Sequence, residues 1–152
     1  MHKTLLLWLA AASALAQSAE STLKLDTGKE IWEAACAGCH GPAGQGLKPM
    51  APPLANSDWV RGPDGRLVRI ALHGMSGPIK VDGVAYEPPN IMPEMPALAA
   101  LEDRPIAAVL SYIRNEWGQG VPLVSPERVA AIRNDTRDRQ QSWNEAQLSE
   151  IK

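Results

Sequence analysis

Large aromatic side chains are scarce in this sequence. It has no phenylalanine, two tyrosines and five tryptophans in 152 residues, against 13 prolines and 12 glycines. Because aromatic side chains normally supply much of the buried area of a core, such a chain would gain from a bulky apolar group at its centre. The length suits one domain better than two.

Strong charge of either sign is also missing. The chain has 15 Lys and Arg residues against 17 Asp and Glu residues, which gives a formal net charge of −2. It has no basic stripe and no polybasic run, the features that accompany binding to nucleic acids or anionic lipids. We therefore expect no nucleic-acid partner.

Long apolar runs are absent, apart from about a dozen residues near the N-terminus. The apolar run over residues 5–15 follows Lys3, and two small residues, Ala14 and Ala16, flank its last residue. A basic start, a short apolar run and small residues before the cleavage point are typical of a secretory signal peptide. The run is also too short for a bilayer core of roughly 30 Å. The sequence predicts a signal peptide over residues 1–16, a periplasmic protein and no membrane span after cleavage, with a retained or lipid-linked N-terminus as the alternative.

The chain has only two cysteines, and both lie in the pentad CAGCH at residues 36–40. Export would favour a disulfide, and the same spacing occurs in redox dithiols and in zinc sites. However, the residues before Cys36, DTGKEIWEAA, are helix formers with Asp26 or Thr27 as a cap, whereas a thioredoxin-like dithiol follows a strand. A zinc site needs four ligands, of which the pentad supplies three, and His73 has no partner motif.

Covalent haem attachment fits the pentad best. On a helix, Cys36, Cys39 and His40 share one face, because positions i, i+3 and i+4 are neighbours there. Two thiols one turn apart can each add to a vinyl group of one haem, and the adjacent histidine can then bind the iron. C-x-x-C-H is the attachment signal of c-type haems. The sequence predicts one covalent haem c per chain, with His40 as its proximal ligand.

With the pentad in place, residues 26–117 resemble the class I c-type cytochromes. The motifs that carry the resemblance are TGKEIWEAACAGCHGPAGQG, APPL at 51–54 and MPALAALEDRPIAAVLSYIRNEWG. The stretch SDWVRGPDGRLVRIALHGMSGPIKVDGVAY is most similar to small cytochrome domains that accompany periplasmic quinoprotein dehydrogenases. The resemblance implies an all-α fold of three to four helices around one haem. It also implies that the first helix crosses the last one, with Gly28 against Tyr112.

The iron needs a sixth ligand or an open site, and c-type cytochromes use a methionine. Met95 stands six residues before Leu101, which opens the last helix, and this is the usual interval in the family. A proline follows Met95 and restricts its backbone to an extended conformation. Met92 also precedes a proline and is the alternative ligand. An iron without a methionine ligand is the third possibility.

The resemblance also implies how the loop after the pentad supports His40. The ring N–H that does not face the iron needs an acceptor, and in the family a proline carbonyl supplies it. Pro52 matches that position and Pro53 is the near alternative. Leu54 would then lie against the haem edge.

The haem propionates would need donors in a site of low polarity. The indole N–H of Trp59 is one candidate, and the others are the guanidinium groups of Arg61, Arg66 and Arg69. A core tryptophan beside a solvated basic helix face is the alternative. His73 is interpreted as a surface residue at a helix end.

The pattern along the chain predicts a helix over residues 27–40, an irregular loop over 41–65 and a helix over 66–73. An Asp82-Gly83 turn predicts a β-hairpin, with a plain loop as the alternative. A helix over 103–117 follows, with an apolar stripe on one side and Pro105 in its first turn.

The expected division is a cytochrome c domain over residues 17–118 and a C-terminal helical extension over 119–152. Ser125 caps an amphipathic segment that reaches Arg139. The extension is expected either to pack on the haem domain or to dock a partner, and Trp143 is the large apolar residue available to hold it.

These features predict a mono-haem electron carrier with a His/Met-ligated iron, not an enzyme. Its expected partners are redox proteins: a dehydrogenase as electron donor and a terminal oxidase or reductase as acceptor. An open-site haem protein, either a gas sensor or a peroxidase-like enzyme, is the alternative.

Overall fold

The computed structural model describes residues 24–152. The predicted signal peptide and the predicted start of the domain at residue 17 lie outside these residues. Within residues 24–152, none of the helices combines the length and the apolar character that crossing a membrane requires.

Short helices and very short strands build the described chain, which confirms the all-α class with a small β-hairpin. In chain order the elements are α1 (24–35), α2 (Ala37–His40), α3 (Asp58–Arg61), α4 (Asp64–His73), β1 (Met75–Ser76), β2 (Ile79–Val81), β3 (Val84–Tyr86), β4 (Glu94–Met95), α5 (Asp103–Trp117), α6 (Pro126–Asp135) and α7 (Glu145–Ser149).

Helix α5 forms the centre of the main core. Its residues Ile106, Val109, Leu110 and Ile113 are all buried, as expected for apolar residues that recur at helical spacing. Both ends of the helix are those predicted from the sequence. Side chains from α4 and α6 complete the same cluster.

The predicted crossing of the first and last haem-domain helices is confirmed at Gly28. A Cβ atom on Gly28 would lie 2.2 Å from the carbonyl oxygen of Ala108 and 2.8 Å from Cβ of Tyr112. Because any side chain would collide with the backbone of α5, only glycine lets α1 approach this closely.

The predicted hairpin is also confirmed. Strands β2 and β3 pair antiparallel, with Val81 opposite Val84. Asp82 and Gly83 between them both have positive φ angles, 46° and 79°, as a two-residue turn of the primed type requires. Ile79 and Val81 point into the protein, whereas Lys80 between them is exposed.

The predicted irregular loop over 41–65 is wrong in its second half. Helix α3 forms there because the side chain of Ser57 accepts a hydrogen bond from the backbone N–H of Trp59, at 3.2 Å. Helix α4 begins at Asp64, two residues earlier than expected, directly after Pro63.

The C-terminal extension packs on the rest of the molecule. Val129, Ile132 and Leu148 are almost fully buried. Ser125 caps α6 as predicted, but α6 ends at Asp135 instead of continuing to Arg139. The side chain of the next residue, Thr136, donates back to the carbonyl of Ile132 at 2.7 Å. Helix α7, which was not predicted, begins with a capping box.

A second sheet joins three distant parts of the chain. Strand β1 pairs antiparallel with β4, so that Met75 lies opposite Met95. Met75 also forms a parallel bridge with Trp143 of the extension. This pairing was not predicted, because strands of two residues carry no detectable period in a sequence.

Candidate haem site

A largely apolar cavity of about 350 Å³ opens beside the pentad. Its volume lies in the range of sites that hold small molecules and cofactors. Apart from His40, Ser57 and Glu94, the lining side chains are apolar. All seven residues that the sequence assigned to the haem site line it: Cys36, Cys39, His40, Pro52, Leu54, Trp59 and Met95.

Four pentad residues, Ala37–His40, form α2, and Cys36 stands at the turn between α1 and α2, so the predicted helix over 27–40 is interrupted at Cys36. The backbone N–H of His40 donates to the carbonyl of Cys36 at 3.0 Å, and that of Cys36 donates to Trp32 at 2.9 Å. Burial raises the pKa of the Cys36 thiol to about 11, and the neighbouring Cys39 adds to this shift. Redox-active dithiols depend on a lowered thiol pKa, so the environment of Cys36 argues against that function.

A zinc site at the pentad also lacks support. Among residues 24–152, no three His, Cys, Asp or Glu side chains are grouped so that they could hold a metal ion by themselves. His73, the one further candidate, does not line the cavity. Its Nε2 atom instead lies 2.7 Å from the hydroxyl oxygen of Thr136.

His40 is oriented as an iron ligand would be. Its side chain is buried, and Nδ1 lies 3.0 Å from the carbonyl oxygen of Pro52. Because a carbonyl only accepts, Nδ1 carries the hydrogen and Nε2 keeps a free lone pair. Burial lowers the pKa of His40, while the hydrogen bond to Pro52 opposes this shift. A neutral imidazole with one nitrogen fixed by a carbonyl fits haem ligation.

The loop after the pentad folds back tightly, and this brings Pro52 to His40. The backbone N–H of Gly46 donates to the carbonyl of His40 at 2.7 Å, and that of Leu54 donates to Gly44 at 2.8 Å. Gly46 has a φ of +75°, and a Cβ there would lie 2.7 Å from the nitrogen of Pro53. Glycine is therefore needed at this position for the loop to close.

Four methionines line the cavity: Met50, Met75, Met92 and Met95. Met95 is half-buried and held by the β1–β4 pairing, whereas Met92 is 49% exposed. The backbone N–H of Met92 donates to the carbonyl of Met50 at 3.0 Å. Met75 is buried, and the sequence did not assign it to the site. The position of Met75 directly after Gly74, at the end of α4, could have indicated a site residue. Its pairing with Met95 in the structure is what explains its place in the cavity wall.

The proposed propionate donors make other hydrogen bonds in the structure. The indole N–H of Trp59 donates to the carbonyl of Lys80 at 2.7 Å and so fastens the hairpin instead. Arg61 pairs with Asp82 at 2.6 Å. Arg66 donates to the carbonyl of Ile151 at 3.0 Å, and one nitrogen of Arg69 donates within α4. Trp59 keeps its place in the cavity wall, but its expected hydrogen bond is replaced by a structural one.

Arg114 supports the site in a way that sequence reasoning missed. It is 4% exposed, and its guanidinium donates to the carbonyls of Pro122, Val60 and Gly62 at 2.7, 3.2 and 2.9 Å. These bonds satisfy a buried cation and tie α5 to the end of α3. The signal was present, since Arg114 lies next to Ile113 and four residues after Leu110, on the apolar side of α5.

Comparison with known proteins agrees with this geometry. The cytochrome c family model matches residues 25–117. Cytochrome c-552 of Thermus thermophilus is 39% identical over 89 residues, which are 56% of this chain and 64% of that protein. The gluconate 2-dehydrogenase cytochrome c subunit of Pantoea cypripedii is 34% identical over 116 residues, 72% of this chain but 24% of that protein. The chain thus spans less than two thirds of the length of these relatives. The family match and the cavity beside the two cysteines show that the chain belongs to the cytochrome c family and carries covalently bound haem c.

Proposed function

We propose that this protein is a periplasmic one-electron carrier whose haem iron is bound by His40 and Met95. One observation carries the proposal. The imidazole of His40, oriented by Pro52, and the thioether of Met95 line the same apolar cavity as the two attachment cysteines. The periplasmic location is inferred from residues 1–16 of the sequence alone.

The residues of the cavity have different roles in binding the haem and in setting its reduction potential. Haem c, when bound, supplies a one-electron change between Fe(III) and Fe(II). The bond from His40 to Pro52 fixes the ring and raises its basicity as a ligand. A thioether favours the ferrous iron and the apolar lining disfavours extra charge, so both raise the reduction potential. If His40 and Met95 both hold the iron, no position would remain on it for a substrate, which favours a carrier over an enzyme.

A dehydrogenase is the proposed electron donor, and a terminal oxidase or reductase the acceptor. The likeness to a cytochrome c subunit of gluconate 2-dehydrogenase supports such a donor. Met50 and Met92 line the cavity and are 36% and 49% exposed, so they offer an apolar contact near the haem. A contact of this kind would be small and transient, as in other electron-transfer pairs.

The test is a comparison of the two methionines that precede prolines. The holoprotein, Met95→Ala and the matched control Met92→Ala are reduced, their visible spectra are recorded and carbon monoxide is added. We expect the unmodified protein and Met92→Ala to keep a low-spin spectrum that carbon monoxide does not change. Met95→Ala should lose the red methionine–iron band, bind the gas and have a lower potential.

The opposite pattern would make Met92 the ligand. A prompt reaction of the unmodified protein with carbon monoxide would contradict the electron-carrier proposal and support an open-site sensor or enzyme.

A further inference from the structure

The C-terminal extension bonds through its backbone to strand β1, whose Met75 lines the haem cavity. The N–H of Trp143 donates to the carbonyl of Gly74 at 3.1 Å, and the N–H of Ser76 donates to the carbonyl of Trp143 at 2.8 Å. The hydroxyl groups of Ser142 and Ser76 add a bond of 3.0 Å. Trp143 lies outside residues 25–117, the part of the chain that the family model matches.

The strand that Trp143 holds is the strand that holds Met95. Trp143 bonds to one edge of β1, and β4 with Met95 bonds to the other. Two further bonds continue this attachment: the N–H of Gly77 donates to Pro93 at 3.2 Å, and the N–H of Leu98 donates to Ala71 at 2.7 Å. Met75 thus lies between Met95, its partner in the two-stranded sheet, and Trp143, its partner in the bridge.

Side chains fix the indole of Trp143 in place. The guanidinium carbon of Arg139 lies 3.5 Å from the ring centroid, and that of Arg69 lies 5.9 Å away. The ring of His73 meets the indole edge-on at 6.5 Å. Trp143 and Met95 both pack against the same buried cluster, which contains Met75. The stacked cations and the shared cluster resist movement of the tail away from β1.

We propose that Trp143 is a positioning residue that keeps the Met95 segment closed over the haem cavity. This inference rests on the proposed function, in which Met95 is the sixth ligand. Strands of two residues hold little by themselves, because each contributes few hydrogen bonds and little buried area. The tail adds a bridged residue, Trp143, on the free edge of β1, and this lowers the population of an open segment in which the Met95 sulfur leaves the cavity.

The test measures how often the Met95 segment opens in the reduced holoprotein. Carbon monoxide reacts only with the open form, so its rate of binding reports the open population. We expect Trp143→Ala to raise this rate roughly tenfold or more. It should also speed hydrogen–deuterium exchange in residues 93–98, a readout that is independent of the haem. Trp143→Phe keeps a stacked ring, so it should bind carbon monoxide at nearly the rate of the unmodified protein.

Matched variants separate positioning from general stability. Val129→Ala also shortens a buried side chain of the extension, but in the other core cluster. It should therefore lower global stability and have little effect on the rate of carbon monoxide binding. Arg139→Ala removes the closest stacked cation. It should also raise the rate of carbon monoxide binding, but by less than Trp143→Ala does. It serves as the readout if Trp143→Ala fails to fold or to take up haem.

Two different results would contradict the inference. If Met95→Ala binds the gas rapidly while Trp143→Ala, or Arg139→Ala in its place, matches the unmodified protein, the positioning role is wrong and the proposed function stands. The positioning role is equally wrong if Val129→Ala opens the site as much as Trp143→Ala. If Met95→Ala itself changes nothing, the proposed ligand is wrong and the inference falls with it.

Discussion

The two sides of the haem cavity are built in different ways. The histidine side comes from one continuous stretch, in which His40 and its acceptor Pro52 are 12 residues apart. The methionine side joins Met75, Met95 and Trp143, which lie on three separate segments. Local contacts cost little loop-closure entropy, whereas the distant ones depend on the fold being complete. We therefore expect the histidine side to be rigid and the methionine side to open first.

The largest expected effect is loss of the cofactor from the histidine side. Changing both Cys36→Ala and Cys39→Ala removes the two thiols that line the cavity. Without thioether bonds the haem should separate from the chain under denaturing conditions. Haem staining after denaturing electrophoresis checks this, with Met92→Ala as a control that should keep its stain. A stained double variant would disprove covalent attachment at the pentad.

Next in size is a change on the methionine side, Gly74→Ala. Gly74 has a φ of +76°, and a Cβ there would lie 2.4 Å from the carbonyl oxygen of Met95. Backbone strain and the clash together should cost about 3 kcal/mol in the free energy of unfolding. Denaturant unfolding measures this cost, and the red methionine–iron band should weaken as β4 shifts.

Gly83→Ala is the matched control for Gly74→Ala. Gly83 has a similar φ of +79°, but its Cβ would meet nothing within 4 Å. In this variant only the added backbone strain should lower the free energy of unfolding, by about 1 kcal/mol. The methionine–iron band should be unchanged. Equal costs for the two variants would show that the contact with Met95 contributes nothing.

A smaller effect is expected for Gly28→Ala, which lies on the helix that leads to the pentad. The collision with Ala108 should cost about 3 kcal/mol, and the better helix propensity of alanine should offset about 1 kcal/mol of this. Thermal unfolding should show a lower midpoint with the methionine–iron band unchanged below the transition. Lys29→Ala, on the exposed neighbouring position, should leave the midpoint almost unchanged. A band lost before unfolding would contradict the distinction between the two sides.

The smallest expected effect concerns pH and His73, beside the methionine side. Burial lowers the pKa of His73, and Arg139, Arg133 and Arg69 lower it further. A lowered folded pKa means that the unfolded chain binds this proton first as the pH falls. The contribution of His73 to stability is therefore full above its ordinary pKa of about 6.5 and is lost as the pH falls through the folded value.

His73→Gln keeps a donor for Thr136 but does not titrate. Its free energy of unfolding should fall less than that of the unmodified protein between about pH 7 and pH 5, as denaturant unfolding at several pH values would show. Parallel curves for the two proteins would contradict the lowered pKa.

Agreement between sequence and structure followed the range of the interactions. Helix α5 was predicted with both ends, because its apolar period and Pro105 in its first turn are local signals. The hairpin was predicted from the Asp82-Gly83 turn. Helix α3 was missed because one serine cap among many glycines and prolines is a weak signal. The bond from Trp59 to Lys80 was missed because nothing near Trp59 indicates which distant carbonyl its indole will meet.

The sequence by itself determined the chemistry of this protein. The spacing of Cys36, Cys39 and His40 defines the attachment of a haem, and the proline loop supplies the acceptor for His40. Only the tertiary structure decided what holds Met95, since β1, β4 and the Trp143 segment have no period of their own. The physical reason is that a helix satisfies its hydrogen bonds within a few residues, whereas a two-residue strand exists only where another part of the chain pairs with it.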